Sequence, residues 1–252
     1  KKPIIFYGQS IESLDNRLEE IFVKFIFKKA SFIAVRDNNT KQLLEGLNIG
    51  KEILLMPDLA FRYESEKMET AEKNSVAITL RESNRTGPLF NAEIAGFIDW
   101  LVTEKKMKVK LINFHGNSFG EKILYDDVYE KVQNKSGAEK IMEIINFNNL
   151  NNIFADVKMA VGMPFHSIVY AVKYEIPFIA IEYAQKLTSF LNDASMADYG
   201  VAPENAILPN LKERYLQLEQ NYQTSVTKLQ IFKGQALAKH KEVEEKLRII
   251  LV

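Results

Sequence analysis

Short apolar runs recur along this chain, and each stops at a polar or charged cluster. Ile4–Tyr7 stops at Gly8-Gln9-Ser10, Ser31–Val35 at Arg36-Asp37, Glu52–Met56 at Pro57-Asp58, and Val76–Leu80 at Arg81. Val109–Phe114 stops at His115-Gly116-Asn117 and Phe178–Ile181 at Glu182-Tyr183; Met159–Gly162 reads as the end of another run. A short continuous apolar run suits a strand buried on both faces, as in a parallel sheet. Between the runs lie stretches with helical spacing. Leu14, Leu18, Ile21, Phe22, Phe25 and Ile26 mark a helix over Asp15–Lys28 with one face expected inward, and Ile94, Phe97, Ile98 and Leu101 mark another over Asn91–Glu104. Further helices are expected over Tyr125–Val132, Ala138–Ile145, Ile168–Tyr174 and from Lys186 to Leu191. Pro209–Leu251 reads as two helical segments broken near Gly234. Strands alternating with helical crossovers of this length predict a parallel α/β architecture.

The charged, β-poor stretch 64–74 divides the chain. The expected organisation is a partial N-terminal α/β domain over 1–63, a linker over 64–74, a C-terminal α/β domain over 75–208 carrying the donor site, and C-terminal helices over 209–252 that pack back on the domains. Three strands and two helices make a thin first sheet that leaves apolar surface open. A partner chain or a missing segment is expected to cover it, and the first residue, Lys rather than Met, fits a trimmed or partial gene product.

Composition excludes several functions. Lys plus Arg is 33 and Asp plus Glu is 33, so there is no long-range cationic field and nucleic acid is not an expected partner. With 0 cysteines there is no disulfide scaffold, zinc finger, iron–sulfur site or cysteine nucleophile. No apolar run approaches the roughly 18 to 20 residues that cross a bilayer, and no signal peptide is evident, so the expected location is cytoplasmic. No spacing argues for a metal site, and no glycine-rich phosphate loop or nucleophile elbow occurs.

In open parallel sheets ligands bind beyond the carboxyl ends of the strands. The polar residues expected there include Arg36, Asp58, Arg81, His115, His166, Ser167, Glu182 and Lys186. Arg81, directly after a buried strand, places a cation at the crevice. His166 lies in Gly162-Met163-Pro164-Phe165-His166-Ser167 at the mouth of a helix, where unpaired amides receive anions. As a group that titrates near neutrality it is the best acid–base candidate. The competing reading of His166 is a half-buried histidine bonded to a carbonyl. His240, in a charged helix, is expected at the surface. Arg36-Asp37 reads equally as a surface or loop-capping pair.

Three successive segments resemble signatures of the polysaccharide pyruvyl transferases: Gly8-Gln9-Ser10-Ile11, then Val35-Arg36-Asp37-Asn38-Asn39-Thr40 with Leu43-Leu44, then Pro57-Asp58-Leu59-Ala60-Phe61. Ile78-Thr79-Leu80-Arg81 resembles the strand that opens that family's second domain. Met163–His166 with Ala171, Ile176-Pro177-Phe178, Glu182-Tyr183, Lys186 and Phe190 resembles its most recognisable block. The resemblance implies two Rossmann-like parallel-sheet domains similar to GT-B glycosyltransferases, the first lacking its leading strands. It implies transfer of the carboxyvinyl group of phosphoenolpyruvate to a hydroxyl of a sugar or lipid-linked glycan in exopolysaccharide biosynthesis, with no other cofactor. His166 is then the acid, Asp58 or Glu182 a base or orienter, and Arg81, Lys186, Ser167, His115 and Arg36 donor-binding residues. One departure stands out: the block usually reads Gly-Met-Arg-Leu-His, and Pro164 occupies the arginine position. The alternatives are a nucleotide-sugar glycosyltransferase using the same fold, with Glu182 near the ribose, and a non-catalytic glycan-binding or partner domain.

Overall fold

The computed structural model describes residues 2–11, 13–62, 72–114, 119–143 and 147–251. The chain divides into two compact units, one made of 1–63 with 233–252 and the other of 64–232.

In the first unit three parallel strands, β1 (Ile5–Gln9), β2 (Phe32–Val35) and β3 (Leu54–Leu55), lie in the order β1-β2-β3. Side chains alternate across β2 and so feed two cores. Ile33 and Val35 pack with Phe27, Ala30, Leu44, Ile49 and Ile53 on one face. Phe32 and Ala34 pack with Leu54, Met56 and Val243 on the other. Helices α1 (Arg17–Lys28) and α2 (Asn38–Gly46) connect the strands. Asn16 caps α1 by accepting from the amides of Leu18 and Glu19, and Glu19 accepts the Asp15 amide at 2.7 Å and the Asn16 side-chain amide at 2.8 Å. Asp37 caps α2 through the Thr40 amide at 2.8 Å.

The face of α1 turned inward is not the expected one. Phe27, stacked on Phe6 at 4.1 Å, and the half-buried Val23 meet the sheet. Leu18, Ile21, Phe22, Phe25 and Ile26 are exposed. Periodicity reveals that a helix has an apolar stripe; it does not reveal which apolar residues the sheet can reach.

In the second unit six parallel strands lie in the order β6-β5-β4-β7-β8-β9: β4 (Ser75–Thr79), β5 (Lys108–Ile112), β6 (Ala138–Ile141), β7 (Val157–Gly162), β8 (Phe178–Ile181) and β9 (Gly200–Val201). Helices α3 (Pro88–Thr103), α4 (Phe119–Lys131), α5 (Phe147–Phe154), α6 (Phe165–Lys173) and α7 (Gln185–Asp193) fill the crossovers. Strands β4 and β8 are buried along their whole length, which their unbroken apolar runs require. The helix expected over Ala138–Ile145 is instead β6 across its first four residues. Pairing with the open edge of β5 (Val109↔Ala138 to Ile112↔Ile141) overrides the helix propensity of Ala-Glu-Lys. Residues 144–146 lie outside the described residues.

The C-terminal region forms α8 (Leu208–Gln220) and α9 (Tyr222–Leu251). The break falls at Asn221, whose amide and side chain both bond the Gln217 carbonyl, rather than at Gly234. Gly234 sits within α9 with open space where a Cβ would lie. A helical glycine costs only about 1 kcal/mol, too little to end a long helix. Val243 and Leu247 of α9 pack against the first sheet.

His240, also on α9, is 2% exposed rather than at the surface. Its Nε2 meets the Asp58 carbonyl at 3.1 Å, and its Nδ1 has no partner among the described residues. Burial holds its pKa below the ordinary value, assisted by the Arg62 charge and opposed by the Asp58 bond, Glu244 and Asp58. The native state therefore prefers the neutral ring. Stability is full above the unfolded pKa of about 6.5 and falls as pH drops from there through the depressed native value. Thermal melts between about pH 7.5 and 5 should show this loss, and His240→Gln, which keeps a donor but does not titrate, should show a smaller one. Parallel melting curves for the two proteins across that range would remove His240 from the account.

Candidate functional site

In the sheet of the second unit the chain runs outward from β4 through β5 to β6, then crosses back to β7 on the other side of β4 and continues outward through β8 to β9. The carboxyl ends of β4 and β7 therefore flank the point where strand order reverses, which is where open α/β sheets bind ligands. A buried hydrogen bond ties the two ends together: the Thr79 hydroxyl donates to Ser167 Oγ at 2.8 Å, and Ser167 donates to the Pro164 carbonyl at 2.7 Å. Tyr125 of α4 fastens β4 to β5. Its hydroxyl accepts from the Leu80 amide at 2.7 Å and lies 2.6 Å from the Ile112 carbonyl, and complete burial pushes its pKa far up.

Five side chains, Arg81, Tyr183, Lys186, Glu182 and Arg85, collect around this frame. The Arg81 guanidinium donates to the Tyr183 hydroxyl at 3.0 Å and lies 5.1 Å from the centre of its ring. Lys186 is 5.9 Å from the same ring centre. Tyr183 thus has a cation from β4's end and another from α7 beside it. Glu182 follows β8; it accepts from the Thr188 hydroxyl, and a Cβ on Gly200 would lie 2.1 Å from its Oε1, so glycine makes room for the carboxylate. Arg85 binds Glu204 at 2.5 Å and reaches the Glu182 carbonyl at 3.4 Å.

His166 is the second residue of α6 and is exposed, not half-buried, with the Phe165 ring 5.8 Å away. The N-cap is Pro164, which has no capping side chain; its carbonyl accepts the Ser167 amide at 3.0 Å, and the positive end of α6 lies just past the carboxyl end of β7. The structure therefore brings Arg81, His166, Ser167, Glu182 and Lys186 to one edge of one sheet. Arg36 and Asp58 belong to the first unit. There they form an ion pair at 3.0 Å, with Asp58 buried and also accepting the Ala60 amide at 2.9 Å. Asp37 caps α2 and accepts the Ser10 hydroxyl at 2.6 Å. His115 lies outside the described residues.

Sequence reasoning passes over Glu121. It sits in the first turn of α4 and is 6% exposed. One oxygen accepts the Glu82 amide at 3.2 Å, and the other has no partner among the described residues. Burial pushes its carboxyl pKa up, opposed by the Glu82 amide and by Arg81. An acidic residue in a first turn ordinarily reads as complement to the helix dipole, so the sequence carries no signal for it. Tyr183 does carry one, its place at the end of a buried strand. Among the described residues no group of three His, Asp or Glu side chains is placed to hold a metal ion.

The model of a protein family described as polysaccharide pyruvyl transferase matches residues 1–185. No curated protein matches the chain by sequence. Similar solved structures include one titled "Crystal Structure of TarM" (TM-score 0.54, 13% identity, 98% of this chain and 49% of that one). A GtfA/B complex is similar too (TM-score 0.54, 12% identity, 90% and 47%). So is an accessory secretory protein 1, 2 and 3 structure from Streptococcus pneumoniae (TM-score 0.51, 15% identity, 90% and 47%). The chain spans about half the length of these structures, and the likeness establishes a GT-B-like fold.

The Thr79–Ser167 bond makes a testable prediction about the frame. Ser167→Ala leaves the Thr79 hydroxyl without this buried acceptor and should cost about 1–3 kcal/mol in denaturant unfolding. Thr79→Val with Ser167→Ala should cost clearly less than the two single losses together. Strict additivity would show that the bond does not couple β4 to α6.

Proposed function

The chain belongs to the polysaccharide pyruvyl transferase family, and on that premise we propose that it is a transferase that moves a group from an anionic donor to a sugar hydroxyl. The donor we assign is phosphoenolpyruvate. The observation that carries the reading is the convergence of Arg81, His166 and Ser167 on the reversal point of the second sheet, within the residues 1–185 that the family model matches. Arg81 and Lys186 offer cations to the donor's carboxylate and phosphate, and the positive end of the α6 dipole favours the phosphate. His166 protonates C3 of the enol. A sugar hydroxyl, deprotonated by Glu182 or oriented by it, bonds to C2. The C2–O bond to phosphate then breaks, inorganic phosphate leaves, and a neighbouring hydroxyl closes the ketal. A sugar or lipid-linked glycan is the proposed acceptor.

Transfer of a glycosyl group from a nucleotide sugar is the second reading, and the GT-B-like fold supports it at least as well. Two observations favour it. Pro164 removes the cation that the family places beside the donor, and Glu182 is held at the end of β8 by Thr188 and by the clearance at Gly200.

Calorimetry with phosphoenolpyruvate and, separately, a uridine diphosphate sugar tests both readings, with phosphate release measured over a panel of sugar acceptors. Arg81→Ala should weaken donor binding by about tenfold or more while the protein stays folded. His166→Ala and His166→Gln should both cut turnover roughly a hundredfold to ten-thousandfold with unchanged melting, because glutamine cannot exchange the proton. Full turnover by folded His166→Ala removes the acid role. Binding of the nucleotide sugar with no binding of phosphoenolpyruvate selects the second reading, and binding of neither points to a non-catalytic member.

A further inference from the structure

Five large apolar side chains on one face of α1, namely Leu18, Ile21, Phe22, Phe25 and Ile26, are between 44% and 68% exposed. At about 200 Å² for a large side chain they present roughly 600 Å² of apolar surface, the upper end of what a soluble monomer leaves uncovered. Leu18, Ile21, Phe22 and Phe25 follow the i, i+3, i+4, i+7 spacing of a helix-packing stripe.

The stripe has a mirror pattern. Counting outward from its centre between Ile21 and Phe22, Leu18 corresponds to Phe25, Glu19 to Lys24 and Asp15 to Lys28. In these pairs apolar residues match apolar ones and acids match bases; Ile26, the least exposed of the five, corresponds to Arg17 at the edge of the stripe, and Glu20 to the inward Val23. We propose that this face is occupied by α1 of a second copy of the chain, packed antiparallel about a two-fold axis through the centre of the stripe. Leu18 of one copy then meets Phe25 of the other, Ile21 meets Phe22, and Asp15 faces Lys28 at both ends. The two helix dipoles oppose each other, so the acidic start of each helix lies beside the basic end of its mate. The two stripes together cover about 1,200 Å², above the roughly 1,000 Å² expected of a specific interface.

The charges also argue against a lipid surface as the occupant. Helices that lie on membranes carry Lys and Arg along the rim of the apolar face. Here Asp15, Glu19 and Glu20 occupy one end, with Arg17 as the one base among them, and Lys24, Lys28 and Lys29 the other. The inward side of α1, through Phe27 and Val23, already holds the helix on its own sheet, so substitutions on the outer stripe leave that core intact.

Sedimentation velocity of the whole chain over the micromolar range tests the proposal. A reversible dimer is expected. Phe22→Glu should raise its dissociation constant about a hundredfold or more with the melting temperature unchanged, since each copy would bury a charge against Ile21 of its mate beside the dyad. Lys28→Glu at low salt should weaken the dimer about tenfold, and Asp15→Lys combined with Lys28→Glu should restore it, because the double exchange recreates both mirrored pairs. A wild-type chain that stays monomeric throughout overturns the proposal and assigns the face to another occupant. A dimer that survives Phe22→Glu, or a charge reversal that the double variant does not rescue, overturns the antiparallel α1 pairing.

Discussion

The second sheet reverses its order at β4, and the polar chemistry of that unit depends on this reversal. Strand β4 is buried along its length, so the amides and carbonyls just past its end need partners that water cannot supply. Tyr125 supplies them on the β5 side, and the Thr79–Ser167 bond closes the β7 side. With both neighbours fixed, Arg81 leaves the strand in a set direction and α6 begins in a set place. The cation and the positive helix end come to the same edge because the backbone there has no freedom to put them elsewhere.

Much of this was legible in the sequence because it follows from local rules. A buried parallel strand needs an unbroken apolar run, and the polar residue that ends the run marks the carboxyl edge. That logic places Arg81, Glu182 and the Pro164–Ser167 segment without knowledge of strand order. Strand order is a tertiary property. It turns residues that are merely at strand ends into residues along the carboxyl edge of one sheet, whereas Arg36 and Asp58 pair with each other in the first unit. Glu121 was not legible, since its burial arises from the elements packed around it and a first-turn glutamate has an ordinary explanation.

The first unit shows the opposite limit. Helix α1 has a well-marked apolar stripe, yet the sheet takes Phe27 and Val23 and leaves Leu18, Ile21, Phe22 and Phe25 outside. Amphipathicity counts apolar residues per face; it contains no information on what each face meets. His240 repeats the point. Its neighbours in sequence are charged, which suggests a surface helix, but the helical phase turns His240 and Val243 to the sheet and the charges away. Ala138–Ile141 fails for the related reason that an open strand edge recruits a segment whose own propensity is helical.

The central claim is that an anionic donor sits where β4 and β7 part. A crystal structure of the chain soaked with phosphoenolpyruvate tests it most directly. The account predicts ligand density within hydrogen-bonding distance of the Arg81 guanidinium and at the positive end of α6, with His166 beside the enol carbon and Tyr183 released from Arg81. Well-ordered phosphoenolpyruvate bound elsewhere, with the Arg81–Tyr183 bond intact, would contradict it.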